Sequence, residues 1–297
     1  MTFIVAVTGG KGGAGKTTVA TNLAVALSSR GYRTLLVDAD VDNPNDHLYL
    51  GVKLRPAMPI KVFTPGFKVE VCTRCGKCNE VCPERLILLE EGKPPMVFEE
   101  ACNGCKACMY ACPVGAIYDR SRDLGVIKIA VRGGLRVVVG ELKPTEARST
   151  VAVSKLMKFV QIDVEREKYD YVVIDTSPGV HSSVVQALRP ANLAVAITEP
   201  TPLGVSTIKL TAQLLSTLGL KWILFINKST ISPKHREEVL EACKEALAVF
   251  ELPYSEELLK LGIDGKLLVE SENPLKQAIM KLTDFIESLA KIEGQSA

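Results

Sequence analysis

Gly9-Gly10-Lys11-Gly12-Gly13-Ala14-Gly15-Lys16-Thr17-Thr18 is the stretch that decides how this chain is read. An apolar run at 3–7 leads into it and a helix-like run at 19–27 leads away. From Gly10 it fits G-x-x-x-x-G-K-[ST] in full, in the strand-loop-helix setting that lets backbone N–H groups converge on phosphate oxygens. Glycines let such a loop turn with no Cβ in the way. Lys16 then sits on the β- and γ-phosphates and the Thr17 hydroxyl on Mg2+, while the backbone of Gly10, Gly12, Gly13, Ala14, Gly15 and Thr18 walls the cradle.

Outward from the loop, the first helix closes on the basic last turn and glycine stop of Arg30-Gly31. A buried-strand run at 34–37 ends in Asp38-Ala39-Asp40. Two carboxylates thus emerge at the carboxyl end of a strand beside the phosphate loop, where open parallel sheets bind ligands. From residue 126 the alternation resumes. Strand runs at 126–131 and 135–139 precede a helix at 146–164, and a buried strand at 171–174 ends at Asp175-Thr176-Ser177-Pro178-Gly179. A helix at 184–188, a strand at 193–197, the turn Glu199-Pro200-Thr201-Pro202, a helix at 205–218 and a strand at 222–226 ending at Asn227 complete the series. This rhythm predicts an α/β fold with a doubly wound, mostly parallel sheet and right-handed crossovers. Residues 233–250 and 274–292 read as covering helices, the last with Leu275, Ile279, Leu282, Phe285, Ile286 and Leu289 on a core-facing side.

At 297 residues, with 47% hydrophobic and 24% charged residues, the chain is globular and long enough for one large domain plus something small. A net charge of +2 argues against a nucleic-acid footprint. No apolar run reaches the ~18 residues of a membrane span, and no basic n-region opens the chain, so a cytoplasmic location is expected.

The rhythm breaks at 55–65, where prolines interrupt any helix, and a repeat follows. Cys72-x-x-Cys75-x-x-Cys78-x-x-x-Cys82-Pro83 recurs as Cys102-x-x-Cys105-x-x-Cys108-x-x-x-Cys112-Pro113, offset by 30 residues. Without a secretory signal, such crowding points to metal rather than disulfides. Three thiolates at this spacing wrap one face of a [4Fe–4S] cube, and the fourth, before proline, ligates the other cluster. Cys72, Cys75, Cys78 and Cys112 would hold one cluster; Cys102, Cys105, Cys108 and Cys82 the other. Doubled four-cysteine spacing with both prolines disfavours zinc. The ninth cysteine, Cys243, reads as a small buried apolar residue. The expected organisation is an insert at 66–121 within a discontinuous domain, 1–65 and 122–297.

The lysine directly after Gly10 narrows the class. The pattern K-G-G-x-G-K-[ST], here Lys11 to Thr17, resembles the deviant phosphate loop of the MinD/ParA superfamily, which includes the nitrogenase iron protein and iron–sulfur carrier ATPases. The resemblance implies ATP and Mg2+ as ligands and a nucleotide-sandwich homodimer in which Lys11 reaches the partner's phosphates. It implies that Asp40 orients the attacking water with Asp38 nearer Mg2+, so that Lys11, Lys16 and Asp40 form the catalytic set. Asp175 matches the Walker B aspartate, and Pro178-Gly179 the turn that senses the γ-phosphate. Asn227 matches an adenine-binding asparagine, with Pro200 in the neighbouring loop. The cysteine segment resembles a bacterial two-cluster ferredoxin, so the composite resembles MinD-type ATPases with a ferredoxin insert. The leading expectation is an ATP-driven protein that passes electrons through two [4Fe–4S] clusters to a partner protein. The alternative is an ATP-dependent iron–sulfur carrier or scaffold serving an acceptor protein, although the separate C-terminal Cys-x-x-Cys of such carriers is absent. A third, a positioning module of MinD or ParA type, lacks the polybasic end or basic stripe that membrane or DNA binding would show.

Overall fold

A computed structural model describes residues 2–10, 12–90 and 93–296. Its elements in chain order begin with β1 (Phe3–Thr8), α1 (Lys16–Ser29), β2 (Thr34–Asp38), α2 (Asp46–Tyr49) and β3 (Arg55–Val62). The cysteine-rich stretch contributes β4 (Pro65–Phe67), α3 (Lys77–Glu80), β5 (Ile87–Leu88), β6 (Met96–Val97), α4 (Ala107–Ala111) and β7 (Ile117–Asp119). Then come β8 (Arg122–Arg132), β9 (Leu135–Leu142), α5 (Ser149–Glu167), β10 (Tyr171–Asp175), α6 (Ser182–Leu188), β11 (Leu193–Thr198) and α7 (Pro202–Thr217). The chain finishes with β12 (Trp222–Asn227), α8 (Pro233–Ala242), β13 (Val249–Leu252), α9 (Glu256–Ile263) and α10 (Lys276–Ser296).

Among the described residues, nine strands form one sheet in the order β13-β12-β11-β1-β10-β2-β9-β8-β3. Pairing is parallel from β13 to β9, and antiparallel where β9 meets β8 and β8 meets β3. The central strands are near-continuous apolar runs because helices cover both faces. LAVAIT in β11 and TLLVD in β2 are buried at every position. One face packs Leu156, Ile174 and Leu224 beneath α5 and α7; the other packs Leu23, Val137 and Phe225 beneath α1 and α10. α10 buries Ile279, Leu282 and Ile286 completely. At about 1.5–3 kcal/mol per side chain, that stripe outweighs any modest preference of the helix for solvent.

Two elements depart from the sequence reading. The proline-broken stretch 55–65 contains β3, an edge strand whose Pro56 and Pro59 are exposed, and an edge is where a strand can lack ladder donors. Residues 233–250 are not one helix. α8 stops at Ala242, and β13 adds a parallel strand beside β12. The apolar run at 248–252 fits either period, and only the open sheet edge decides between them.

Residues 63–121 leave and rejoin the sheet at adjacent positions, since Val62 is the register partner of Arg122. Two antiparallel pairs, β4 with β7 and β5 with β6, frame α3 and α4 around a small cluster of Phe63, Ile87, Cys108 and Ile117. Among the described residues no helix is long and apolar enough to cross a membrane.

Candidate functional site

The phosphate loop is built by close approach. A Cβ on Gly10 would lie 2.4 Å from the Thr207 Cβ, and one on Gly15 would lie 2.3 Å from the Asn227 side-chain nitrogen. Gly13 and Gly15 hold φ of 78° and 100°, in the left-handed region that glycine enters freely. Lys16 is buried at the first turn of α1. Burial lowers its pKa, while the Asp175 and Asp40 charges oppose that shift. Lys11, the second lysine of the motif, lies outside the described residues.

The sheet register sets two carboxylates beside this loop, and the turn after β2 brings in a third. Val7 pairs with Asp175 and Asp175 with Asp38, so neighbouring strands end together beside Gly9. The Thr17 hydroxyl donates to Asp175 Oδ2 at 2.6 Å. Asp38 accepts backbone N–H bonds from Asp40, Asn45 and Asp46, which folds the loop 39–46 over the strand end. Asp46 is fully buried, and the sequence reading missed it. Nothing in the stretch Asn43-Pro44-Asn45-Asp46 marks it except its place in the turn that caps Asp38. Neither Asp46 oxygen nor Asp175 Oδ1 meets an N–H or O–H donor. Facing carboxyls of this kind are satisfied by a shared proton or a cation. Burial drives Asp38 and Asp46 well above the ordinary carboxylate range. It also pushes Asp175 up to about 6, against the opposing pull of Thr17 and Lys16. Asp40 is raised less, first by burial and then by Asp42, with Lys16 pulling the other way. Hard oxygens from Thr17, Asp38 and Asp175 suit Mg2+.

The remaining expected residues lie at the carboxyl ends of β10, β11 and β12 or in the turns that follow them. Gly179, at φ 95°, donates its N–H to the Gly9 carbonyl at 3.1 Å, tying the turn after β10 to the phosphate loop. Asn227 donates its side-chain N–H to the Ala14 carbonyl at 2.9 Å, so its amide already braces the loop. Pro200 is buried beside Glu199, whose carboxylate pairs with Lys228 at 3.0 Å.

The eight repeated cysteines fall into two groups. Cys72, Cys75, Cys78 and Cys112 line one cavity; Cys82, Cys102, Cys105 and Cys108 line a second. The repeat extends to the backbone. Arg74, Gly76 and Arg85 have positive φ, and so do Gly104, Lys106 and Gly115, each 30 residues later. Cys82 Sγ accepts an N–H from Leu86 and Cys112 Sγ accepts one from Ala116, four residues on in both cases. The thiols differ in environment. Cys75 and Cys105 are exposed and Cys108 is buried. Burial pushes the Cys108 thiol up to about 11 and raises Cys78 and Cys102, whereas the backbone N–H of Lys77 lowers Cys75. Cys243 is buried in the core beneath the nine-stranded sheet, its thiol pushed up to about 12 by burial. Among the described residues no three His, Cys, Asp or Glu side chains converge closely enough to hold a single metal ion.

The model of the CobQ/CobB/MinD/ParA nucleotide binding domain matches residues 5–269. An uncharacterised protein of Methanocaldococcus jannaschii is 28% identical over 295 residues, covering 96% of this chain and 97% of its own. A cytosolic Fe-S cluster assembly factor Nubp2 homolog of Drosophila willistoni is 24% identical over 223 residues, covering 73% of this chain and 64% of its own. Among solved structures, the septum site-determining protein MinD of Pyrococcus horikoshii, complexed with Mg-ADP, aligns over 98% of both chains with a TM-score of 0.60 at 20% identity.

These findings correct the leading expectation of electron transfer through two resident [4Fe–4S] clusters. The curated proteins similar to this chain include a cytosolic Fe-S cluster assembly factor homolog, and the solved MinD shares its fold. The thiols form no converged metal-ion site among the described residues, and each cavity has a cysteine open to solvent. With its phosphate loop, strand-end carboxylates and matching family model, the chain belongs to the CobQ/CobB/MinD/ParA nucleotide-binding family and is a P-loop ATPase.

Proposed function

We propose that this protein is an ATP-dependent iron–sulfur cluster carrier or scaffold that works as a homodimer and delivers its cargo to an acceptor protein. The observation that carries the reading is the grouping of eight cysteines into two open four-cysteine cavities on a P-loop ATPase. A [4Fe–4S] cube takes one thiolate at each of four corners, so its ligands stand farther apart than those around a single ion. Residues 66–121 act as a ferredoxin-like cargo unit inserted in the ATPase formed by 1–65 and 122–297. The two short antiparallel pairs and paired left-handed positions support that division. Buried Cys243 offers no outlet, so the insert replaces the C-terminal cysteine pair of other carriers.

In the ATPase, Lys16 and the loop N–H groups would hold the phosphates, and Thr17, Asp38 and Asp175 would hold Mg2+, whose charge would offset that of the phosphates. Asp40 orients the water, Lys11 reaches the partner's nucleotide, and Gly179 reports the γ-phosphate. Asn227 and Pro200 border the base. Nucleotide closure then governs how tightly the thiolates keep their cargo.

The test is chelator stripping of the iron-loaded protein with MgADP or a non-hydrolysable MgATP analogue. Iron should leave several times faster in one state and reach an apo-acceptor in that state. Equal release in both states would overturn the reading.

A further inference from the structure

The loop 39–46 and the second cysteine cavity are joined by one short segment, 142–149, between β9 and α5. At the loop end, Leu142 donates its N–H to the Val41 carbonyl at 2.8 Å, and the Ser149 hydroxyl donates to Asp42 Oδ1 at 2.9 Å. At the cavity end, Arg148 Nη1 donates to the carbonyls of Cys102 at 2.6 Å and Glu99 at 2.9 Å. The same guanidinium binds both oxygens of Glu146, which also receives Arg122 at 2.6 Å. Side chains of Arg148 and Glu146 are only 11% and 7% exposed, so this node is shielded from salt and water. Among the described residues, Cys72, Cys75, Cys78 and Cys112 have no comparable tie to the large domain.

We infer that residues 142–149 are a coupling strut through which nucleotide bound beside the loop 39–46 controls the second cysteine cavity and not the first, with Arg148 as the positioning residue. The inference rests on the carrier reading and gives it a direction. Asp40 lies two residues from Asp42, so a shift that brings it to the γ-phosphate pulls on Ser149. Because α5 starts at Ser149, Arg148 moves with the helix and carries the Cys102 carbonyl. A site that feels nucleotide must act back on nucleotide affinity by the same factor. Two unequal cavities would let one cluster be released while the other stays.

The experiment uses the full, reduced, cargo-free chain and reads N-ethylmaleimide alkylation at each cysteine, with and without a non-hydrolysable MgATP analogue. Rates at Cys102 and Cys105 should change about fivefold or more, while those at Cys72 and Cys75 stay constant. Arg148→Gln should erase the response, and so should Ser149→Ala, a milder change that leaves the Arg148–Glu146–Arg122 node intact should the first variant misfold. Equal responses in both cavities, or a response that survives both substitutions, would overturn the strut. Nucleotide-independent iron release from the loaded protein overturns the carrier reading alone.

Discussion

The nucleotide site and the cysteine segment are two ways of building a binding site. The first is made by the ends of adjacent parallel strands, with Asp38, Asp175 and Lys16 buried and the surrounding loops stitched by backbone hydrogen bonds. Its geometry is held by the strand ends and loop hydrogen bonds of the fold itself. The second rests on a four-residue buried cluster and two pairs of very short strands. Two-stranded sheets and cores of this size are marginal alone, so on the carrier reading its order would depend on what the thiols bind. A rigid site suits a chemical step, and a site ordered by its cargo suits loading and release.

The sharpest way to separate the two regions is Lys16→Ala. ATP hydrolysis should fall by about 100-fold or more, while reconstituted iron content per chain stays the same. Loss of both would mean that the regions fold as one unit. Next in size, stripping the iron should speed limited proteolysis within 66–121 on the order of tenfold, with cleavage elsewhere unchanged. Uniform cleavage along the chain would remove the contrast in rigidity.

A pH series tests the strand-end carboxylates. Asp175 titrates near 6 in the fold and near about 3.9 when unfolded, so the native state binds the extra proton between those values. Its contribution to nucleotide-free stability is therefore fully present below about 3.9 and is lost as pH rises through about 6. MgATP binding needs the ionised carboxyl, so affinity should rise over that window by up to about tenfold per pH unit for one released proton. Denaturant midpoints and binding isotherms at pH 5 and 7 measure both, and affinity that is flat with pH would count against Asp175 at the metal. The smallest effect concerns the repeat itself. Arg85 holds φ of 50° where its counterpart, thirty residues on, is Gly115. Arg85→Gly should relieve strain and raise the stability of the cysteine segment by up to about 1 kcal/mol, read as slower proteolysis.

Residues in contact with their sequence neighbours were the legible ones. The phosphate loop, Asp38 and Asp175 announce themselves because each ends a buried apolar strand, and the cysteines because their spacing recurs. Asp46 was hidden because its meaning comes from Asp38 and Asp175, on two different strands. Arg148 was hidden because it reaches carbonyls 46 and 49 residues away, which no local pattern encodes. β3 and β13 were hidden for a shared reason. Both lie at sheet edges, where the composition rules for strands relax.

Those two edges have a further consequence. A nine-stranded sheet ends in unpaired N–H and C=O groups that could recruit a second chain and grow into a fibre. Here one margin is the four-residue β13, and the other is β3, with Pro56 and Pro59 lacking donors and Arg55 adding charge. Both margins are thereby poor templates for a neighbouring molecule, so molecules crowded together at high concentration stay separate instead of joining sheet to sheet.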